Sequence, residues 1–435
     1  MQATQPEQAT FLPNHQRVVF HQKPGPSSVI QQANLPLPQR PPHHLLIRVH
    51  ACSINPKDWK GRKASGNEKI KTCLGEDVSG VVVQCDSQGS NFQVGDRVFC
   101  MMNMLEWRGN TRFFRHESSY IPFSRSRPTE NTKEHGQIRW GASSEYTVVD
   151  ERFCAHLPAT VSFIDGASVC LASLTALQNL KKAGFSMTSN QSMKDKHVLV
   201  HAGAGGVGSW CIQLAKWAGA YVSTTCSERN FNYVQSLGCD RPIDYNTERF
   251  DEITNWDKHS GTQPPPNVIV DLIGGDYELR SLGMLSRFDN GMYLHVLNSG
   301  WQTYFQRSQY RAVYPFVWIG MILLGTSLDL LQLHPSGEYR FTIVKPSSTD
   351  LTFIGKLLES GESRAVIDRV LPFNAESVRN GHDLSENGHC KGKIVLDMMA
   401  NSKRRQEEEE RVQQGVVYAE GKEQHCCSTS STSRL

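Results

Sequence analysis

One glycine-rich run constrains the fold of this chain more than any other feature. It fits the pattern G-x-G-x-x-G through Gly203, Gly205 and Gly208. The apolar run His197–His201 precedes it, and the amphipathic stretch Val207–Ala218 follows it. A strand before the motif and a helix after it form the context in which such a loop binds a dinucleotide.

The glycines allow a tight turn and a close approach of the backbone to a pyrophosphate. The start of the helix adds unpaired N–H groups and a positive dipole. The alternative is a glycine-rich turn that binds no ligand. The residues expected at the diphosphate are Gly203, Ala204, Gly205, Gly206, Val207 and Gly208.

The end of the second predicted strand, Tyr221–Thr225, indicates which dinucleotide binds. Sites for NAD usually carry an acid here, which pairs with the ribose 2′-hydroxyl. In this chain Ser227 can donate a hydrogen bond to a 2′-phosphate, and Arg229 can pair with its charge. Glu228 can serve as the ribose acid instead. The sequence favours NADPH and leaves NADH as the alternative.

Composition excludes several other classes of protein. Lys and Arg number 46 against 43 Asp and Glu, so no partner such as nucleic acid or an anionic membrane is indicated. None of the twelve cysteines forms a C-x-x-C pair, so we expect reduced, buried thiols and no four-thiolate zinc site. The most apolar stretch, Tyr314–Leu333, contains Asp329 and predicts a core or interface helix, with no transmembrane segment.

The order of strand-like and helix-like runs predicts an α/β chain of two domains. Short β-rich runs come first, strands alternate with helices from about Pro158, and mixed structure returns after about Ser336. Alternating strands and helices favour a doubly wound parallel sheet. The predicted segments are a loose tail at 1–16, a β-rich catalytic domain at 17–157 with a polar insertion at 103–140, a Rossmann domain at 158–335, a return to the catalytic domain at 336–400 and a disordered tail at 401–435. The insertion forms either a lobe over a cleft or a solvated loop.

Further motifs accompany the glycine run along the chain. They are Ser53–Asp58, Leu74–Gly80, Val94–Val98, Gly141–Tyr146, Ala172–Ala176, Cys226-Ser227, Pro242–Tyr245 and Gly388–Leu396. Together they resemble the quinone oxidoreductase branch of the medium-chain dehydrogenases/reductases, and most of all the reticulon-interacting mitochondrial oxidoreductase subgroup. The resemblance implies a GroES-like barrel, completed by the last segment before the tail, with the Rossmann domain inserted. It also implies a reaction between NADPH and a small quinone or enone, and a homodimer joined through edge strands.

The same resemblance implies individual cofactor contacts. Gly205, Gly206 and Val207 would lie on the pyrophosphate, Ser227 and Arg229 at the 2′-phosphate, Tyr245 beside the adenosine phosphate, Val296 and Leu297 on the nicotinamide side, and Lys391 near the cofactor.

Zinc is not expected in this chain. Where zinc-using relatives place their ligands, the sequence has Asn55, Glu76 and Leu171. We expect Asn55 to donate a hydrogen bond to the acceptor oxygen and Thr175 to orient the nicotinamide or the substrate, while Asp58 holds the loop. A purely structural role is the alternative for all three. The rival function is that of an NADPH-bound interaction or redox-sensing protein with little turnover.

The compartment remains open between three alternatives. Ser433-Arg434-Leu435 resembles the peroxisomal address Ser-Lys-Leu, the family resemblance points to mitochondria, and the cytoplasm is the third alternative.

Overall fold

The computed structural model describes residues 12–64, 68–102, 137–253, 265–285, 291–296, 338–388 and 390–400. Several sequence predictions concern segments outside these ranges: the parts of the two tails at 1–11 and 401–435, residues 103–136 of the insertion, the apolar stretch 314–333, Leu297 and the C-terminal tripeptide.

The described elements alternate as the sequence predicts, with β-rich structure first and a strand–helix series afterwards. The strands are β1 (His15–His21), β2 (Gln31–Pro36), β3 (His44–Ile54), β4 (Ile70–Cys73), β5 (Asp77–Gln84), β6 (Arg97–Met101), β7 (Gln137–Arg139), β8 (Tyr146–Asp150), β9 (Cys154–His156), β10 (His197–Val200), β11 (Tyr221–Cys226), β12 (Arg241–Asp244), β13 (Val268–Asp271), β14 (Met292–Val296), β15 (Glu338–Thr342), β16 (Ile367–Pro372) and β17 (Lys393–Asp397). The α-helices are α1 (Pro56–Ala64), α2 (Phe163–Lys182), α3 (Gly206–Trp217), α4 (Phe231–Ser236), α5 (Asp276–Leu285), α6 (Ser348–Glu359) and α7 (Ala375–Glu386).

The first domain is built from two sheets. One has the strand order β2-β1-β4-β7; the other has the order β16-β17-β3-β5-β6-β9, with β8 also paired to β3. Strand β17 pairs antiparallel with β3 although more than 330 residues separate them in the sequence. The predicted GroES-like domain, completed by a late segment of the chain, is therefore confirmed.

The second domain contains a six-stranded sheet in the order β12-β11-β10-β13-β14-β15. All five strand pairs are parallel. Numbered from β10, this order is 3-2-1-4-5-6, which is the order of a dinucleotide-binding Rossmann sheet. The order reverses between β10 and β13, and ligands bind beyond the carboxyl ends of the strands at such a switch point.

Three of the predicted boundaries are wrong. Strand β15 pairs with β14 in the Rossmann sheet, so the chain has not yet returned to the catalytic domain at 336. Strand β1 begins at His15, inside the segment predicted as a loose tail. The side chain of Gln16 is buried because its Oε1 accepts a hydrogen bond from the backbone N–H of Tyr146 at 2.6 Å. The last residues of the predicted insertion also differ: Gln137–Arg139 form β7, which pairs with β4, and Trp140 is buried.

Helix α2 joins the two domains. Ser162 caps its N-terminus by accepting a hydrogen bond from the backbone N–H of Asp165 at 3.0 Å. The helix packs against β3 and β5 of the first domain and against α3 of the second. One apolar core therefore contains Phe99 and Leu157 from the first domain together with Val198 from the second.

The described cysteines form no disulfide with one another. Ten are free, and the eight that are buried are Cys52, Cys73, Cys100, Cys154, Cys170, Cys211, Cys226 and Cys239. Within the described ranges, no helix has the length and apolar composition that crossing a membrane requires.

Candidate cofactor and acceptor site

The glycine loop leaves β10 and enters α3 at the switch point of the sheet. A Cβ at Gly203 would lie under 3.0 Å from the Thr224 side chain, and one at Gly208 would lie 2.7 Å from Gly203 Cα. These two glycines allow the loop to pack on itself. A Cβ at Gly205 would instead meet only Ala202 O, at 3.4 Å, so the space above this residue is open.

The loop has the properties that a diphosphate requires. The N-cap of α3 is Gly205, which offers no side chain to accept a hydrogen bond from the first turn. The first N–H groups of a helix have no partner within the helix, and together with its dipole they attract an anion. Open space and uncapped donors at one point fit the pyrophosphate of a dinucleotide.

The first domain reaches this loop through residues just before β17. Gly392 forms an isolated parallel bridge with Gly205, and its N–H donates to Ala204 O at 3.0 Å. The side chain of Lys393 passes beside Gly206, because a Cβ built there would lie 3.0 Å from Lys393 Cδ. The glycine loop and the start of β17 thus form one wall of the junction between the domains.

Lys393 carries a buried ammonium group at this wall, with its side chain 6% exposed. Its Nζ donates hydrogen bonds to Ile54 O at 3.2 Å, to Asp77 Oδ2 at 3.1 Å and to Asn55 Oδ1. Asn55 Nδ2 in turn donates to Asp77 Oδ2 at 2.8 Å. These contacts fix the orientation of the Asn55 amide, and Nδ2 retains a second hydrogen with which it can donate to an acceptor.

Asp77 is the common partner in this cluster and is fully buried. Its Oδ2 also accepts from Ser53 Oγ at 2.7 Å, and its Oδ1 accepts from the backbone N–H of Leu171 at 2.9 Å. Leu171, the position compared above with a zinc ligand, contributes its backbone N–H group here. The carboxylate therefore ties β3, β5 and α2 together.

A second ion pair lies beside the first. Lys57 Nζ is 2.8 Å from both carboxylate oxygens of Glu76. Asp58, the third residue of α1, accepts a hydrogen bond from the backbone N–H of Asn55 at 2.7 Å. An acid in this position that bonds back to the N-cap residue stabilises the start of a helix. This contact accords with the predicted role of Asp58 in holding the loop.

Burial, and next to it the carboxylate of Glu76, raises the pKa of Asp58 to about 7 from the usual 3.8. The folded state therefore binds this proton more tightly than the unfolded state does. The resulting stability is complete below pH 3.8 and is lost as the pH rises to about 7.

We expect the stability of the variant Asp58→Asn not to fall as the pH rises. The amide oxygen of the new side chain can still accept a hydrogen bond from the N–H of Asn55, and the amide carries no charge at any of these pH values. Between pH 4 and 7 the wild type should lose stability relative to the variant by about 1.4 kcal/mol for each unit by which its pKa is raised. Urea unfolding at a series of pH values measures the difference. If the difference in free energy of unfolding between the wild type and the variant does not change with pH, the raised pKa of Asp58 is contradicted.

Thr175 is buried in α2, and its hydroxyl is already engaged. Thr175 Oγ1 donates to Leu171 O at 2.7 Å, and the carbonyl of Thr175 accepts from Asn179 Nδ2 at 2.8 Å. The hydroxyl can therefore only accept a further hydrogen bond. These contacts are those of a structural role, and the role of Thr175 in orienting the nicotinamide or the substrate stays a prediction.

The residues predicted for the adenosine end lie close together. The N–H of Tyr245, just after β12, donates to Cys226 O at 3.3 Å, which brings Tyr245 alongside Ser227. Tyr245 is 50% exposed, and the side chains of Arg229 and Glu228 are also exposed. Ser227 Oγ accepts from Asn230 Nδ2 at 3.1 Å, so its own hydrogen stays available for donation.

The structure gives less support to the two other predicted cofactor contacts, Val296 and Lys391. Val296 is half-buried at the end of β14. Lys391 is exposed, and its backbone N–H donates to Asp368 Oδ1 at 3.1 Å, whereas Lys393 is the lysine that reaches the loop. Sequence reasoning missed Lys393, and the available signal was a lysine that opens an otherwise apolar strand.

Fold and site together define a two-domain dehydrogenase with an inserted dinucleotide-binding domain. Residues 41–159 match the family model described as "Alcohol dehydrogenase GroES-like domain", and residues 237–396 match "Zinc-binding dehydrogenase". The chain belongs to the medium-chain dehydrogenase/reductase superfamily, a group of nicotinamide-dependent oxidoreductases, and its relatives fit the quinone oxidoreductase branch.

Three similar proteins illustrate this membership. The mouse (Mus musculus) protein "NAD(P)H oxidoreductase RTN4IP1, mitochondrial" is 27% identical over 82% of this chain and 82% of its own length. The "2-methylene-furan-3-one reductase" of Solanum lycopersicum is 29% identical over 84% of this chain and 74% of its own. The quinone oxidoreductase structure from Coxiella burnetii has a TM-score of 0.64 and 25% identity, and the match covers 88% of this chain and 99% of that one.

Proposed function

We propose that this oxidoreductase uses NADPH to reduce a small quinone or α,β-unsaturated carbonyl compound without zinc. The observation that carries the proposal is the junction of the glycine loop with the polar cluster of Asn55, Asp77 and Lys393. That junction puts a diphosphate cradle beside oriented hydrogen-bond donors in the same cleft. Names of relatives such as quinone oxidoreductase and 2-methylene-furan-3-one reductase support this class of acceptor.

Two lysine ammonium groups support the proposal that the protein works without zinc. Asn55 and Glu76 stand where zinc ligands lie in other branches, and each accepts a hydrogen bond from a lysine ammonium group. The bound nicotinamide would supply the hydride, as this cofactor does in general. The chain's own residues would hold the diphosphate at the loop, orient the acceptor through Asn55 Nδ2 and keep water away from the cluster.

An assay of NADPH oxidation across a panel of quinones and enones tests the proposal, with NADH as the second cofactor and metal analysis of the purified protein alongside. We expect turnover with NADPH, lower turnover with NADH and less than one zinc per chain. Stoichiometric zinc would overturn the zinc-free mechanism. Tight NADPH binding without turnover on any acceptor would favour a cofactor-bound interaction protein.

The NADPH preference rests on Ser227 and Arg229. We expect Arg229→Ala to weaken NADPH binding roughly 10- to 100-fold and to leave NADH binding nearly unchanged. A hydrogen bond to a charged group contributes about 1.5–3 kcal/mol, and about 1.4 kcal/mol is a tenfold change in affinity. Titration of the fluorescence of each reduced nucleotide measures both affinities. The control Arg369→Ala removes an exposed arginine of the first domain and should change neither, while equal losses for NADPH and NADH would refute the 2′-phosphate contact.

A further inference from the structure

We propose that Lys57 donates the proton that the carbonyl oxygen of the acceptor takes up during reduction. The inference deepens the proposed function and rests on it. It supplies a proton donor for the reaction among the described side chains.

The geometry places the Lys57 ammonium beside the polar cluster of Asn55, Asp77 and Lys393. Lys57 is the second residue of α1 and follows Asn55 by two positions, so it stands beside the cluster that contacts the glycine loop. Its Nζ lies 2.8 Å from both carboxylate oxygens of Glu76. The Glu76 side chain is 3% exposed and that of Lys57 is 35% exposed. A buried carboxylate thus anchors the ammonium, while part of the lysine side chain stays accessible.

Lys57 and Lys393 differ in how many of their N–H donors are already engaged with protein oxygens. An ammonium group has three N–H donors. Those of Lys393 are matched by three protein oxygens, and that side chain is buried. Lys57 directs its donors at the two oxygens of one carboxylate, which leaves a third hydrogen for another acceptor. Asp58 is also near, but its carboxyl is buried and bonded to Asn55 N.

The proposed step balances as follows for an enone. A hydride, with its electron pair, passes from the reduced nicotinamide to the β-carbon, and the C=C electron pair moves so that negative charge forms on the carbonyl oxygen. That oxygen forms an O–H bond as an N–H bond of Lys57 breaks. The enol then becomes the saturated ketone, and Lys57 regains a proton from water. The sum is one NADPH and one proton consumed for each enone reduced.

The experiment removes the amine of Lys57 by substitution and then supplies a small amine in solution. We expect Lys57→Ala to lower kcat for an enone by about 100-fold or more, which is the range for general acid catalysis, and to leave NADPH affinity within about twofold. The site of the lost side chain can admit a small amine, so added methylammonium should restore part of the rate in proportion to its concentration. Lys63→Ala is the matched control, since Lys63 lies on the same helix and pairs with Glu386.

A second variant separates the proton from the positive charge. Lys57→Arg retains a cation that can pair with Glu76, but guanidinium does not release its proton at neutral pH. We therefore expect low enone turnover for Lys57→Arg with normal NADPH binding and a normal unfolding midpoint. Wild-type turnover in either variant would overturn the proposal. So would a loss in Lys57→Ala that no amine restores, whereas failure of the wild type to oxidise NADPH would overturn the proposed function itself.

Discussion

Gly208→Ala is expected to lower NADPH affinity by about 100-fold or more. The new Cβ would lie 2.7 Å from Gly203 Cα and under 3.0 Å from Ala202 O, and neither is a flexible side-chain end. The loop must therefore shift and carry its N–H groups away from the diphosphate. Two lost hydrogen bonds to a charged group, at about 1.5–3 kcal/mol each, account for a change of this size. Fluorescence titration with NADPH measures it.

A glycine elsewhere provides the control for this variant. A Cβ at Gly283, in α5, meets nothing within 4 Å, so Gly283→Ala should leave NADPH affinity unchanged and increase stability by up to about 1 kcal/mol. Unchanged NADPH binding in a folded Gly208→Ala protein would show that the diphosphate lies elsewhere.

Lys393→Met is expected to lower the free energy of unfolding by about 3–5 kcal/mol. Methionine preserves much of the volume of the side chain but removes the ammonium that pairs with Asp77 and bonds to Asn55. Removal of one partner leaves a buried charge without compensation, which costs about 3–5 kcal/mol. Urea unfolding measures the change as a lower midpoint with an unchanged slope.

Lys391→Met is the matched control, because this exposed lysine lies two residues earlier. Its free energy of unfolding should stay within about 0.5 kcal/mol of the wild type. A loss below about 1 kcal/mol for Lys393→Met would mean that water or another cation compensates Asp77, and that Lys393 does not hold the cluster together.

The Rossmann half of the fold could be predicted because its signals are local. The apolar run at β10, the glycines after it and the amphipathic α3 adjoin one another, and each constrains the next. The parallel arrangement of the strands follows from their alternation with helices, whereas their order is seen only in the structure. Strand β15 was assigned to the wrong domain because a five-residue strand carries no mark of the sheet that it joins.

Only those parts of the candidate site that lie within a single sequence motif could be predicted. Asn55 and the glycine loop lie in recognisable runs, but their junction depends on Lys393, which is 338 positions from Asn55. Lys391 and Lys393 stand on either side of Gly392 and look equivalent in the sequence. Their difference arises where the strand begins: Lys393 is the first residue of β17 and is buried, whereas Lys391 precedes the strand and is exposed.

The shared core around α2 has a consequence for cooperativity. Because Phe99 and Val198 belong to one apolar cluster, neither domain can lose its packing without exposing surface of the other. The two domains are distinct in strand topology, but they are therefore not independent folding units. Heat or denaturant should melt the barrel and the nucleotide-binding half together, and occupancy of the glycine loop should raise the melting temperature of both.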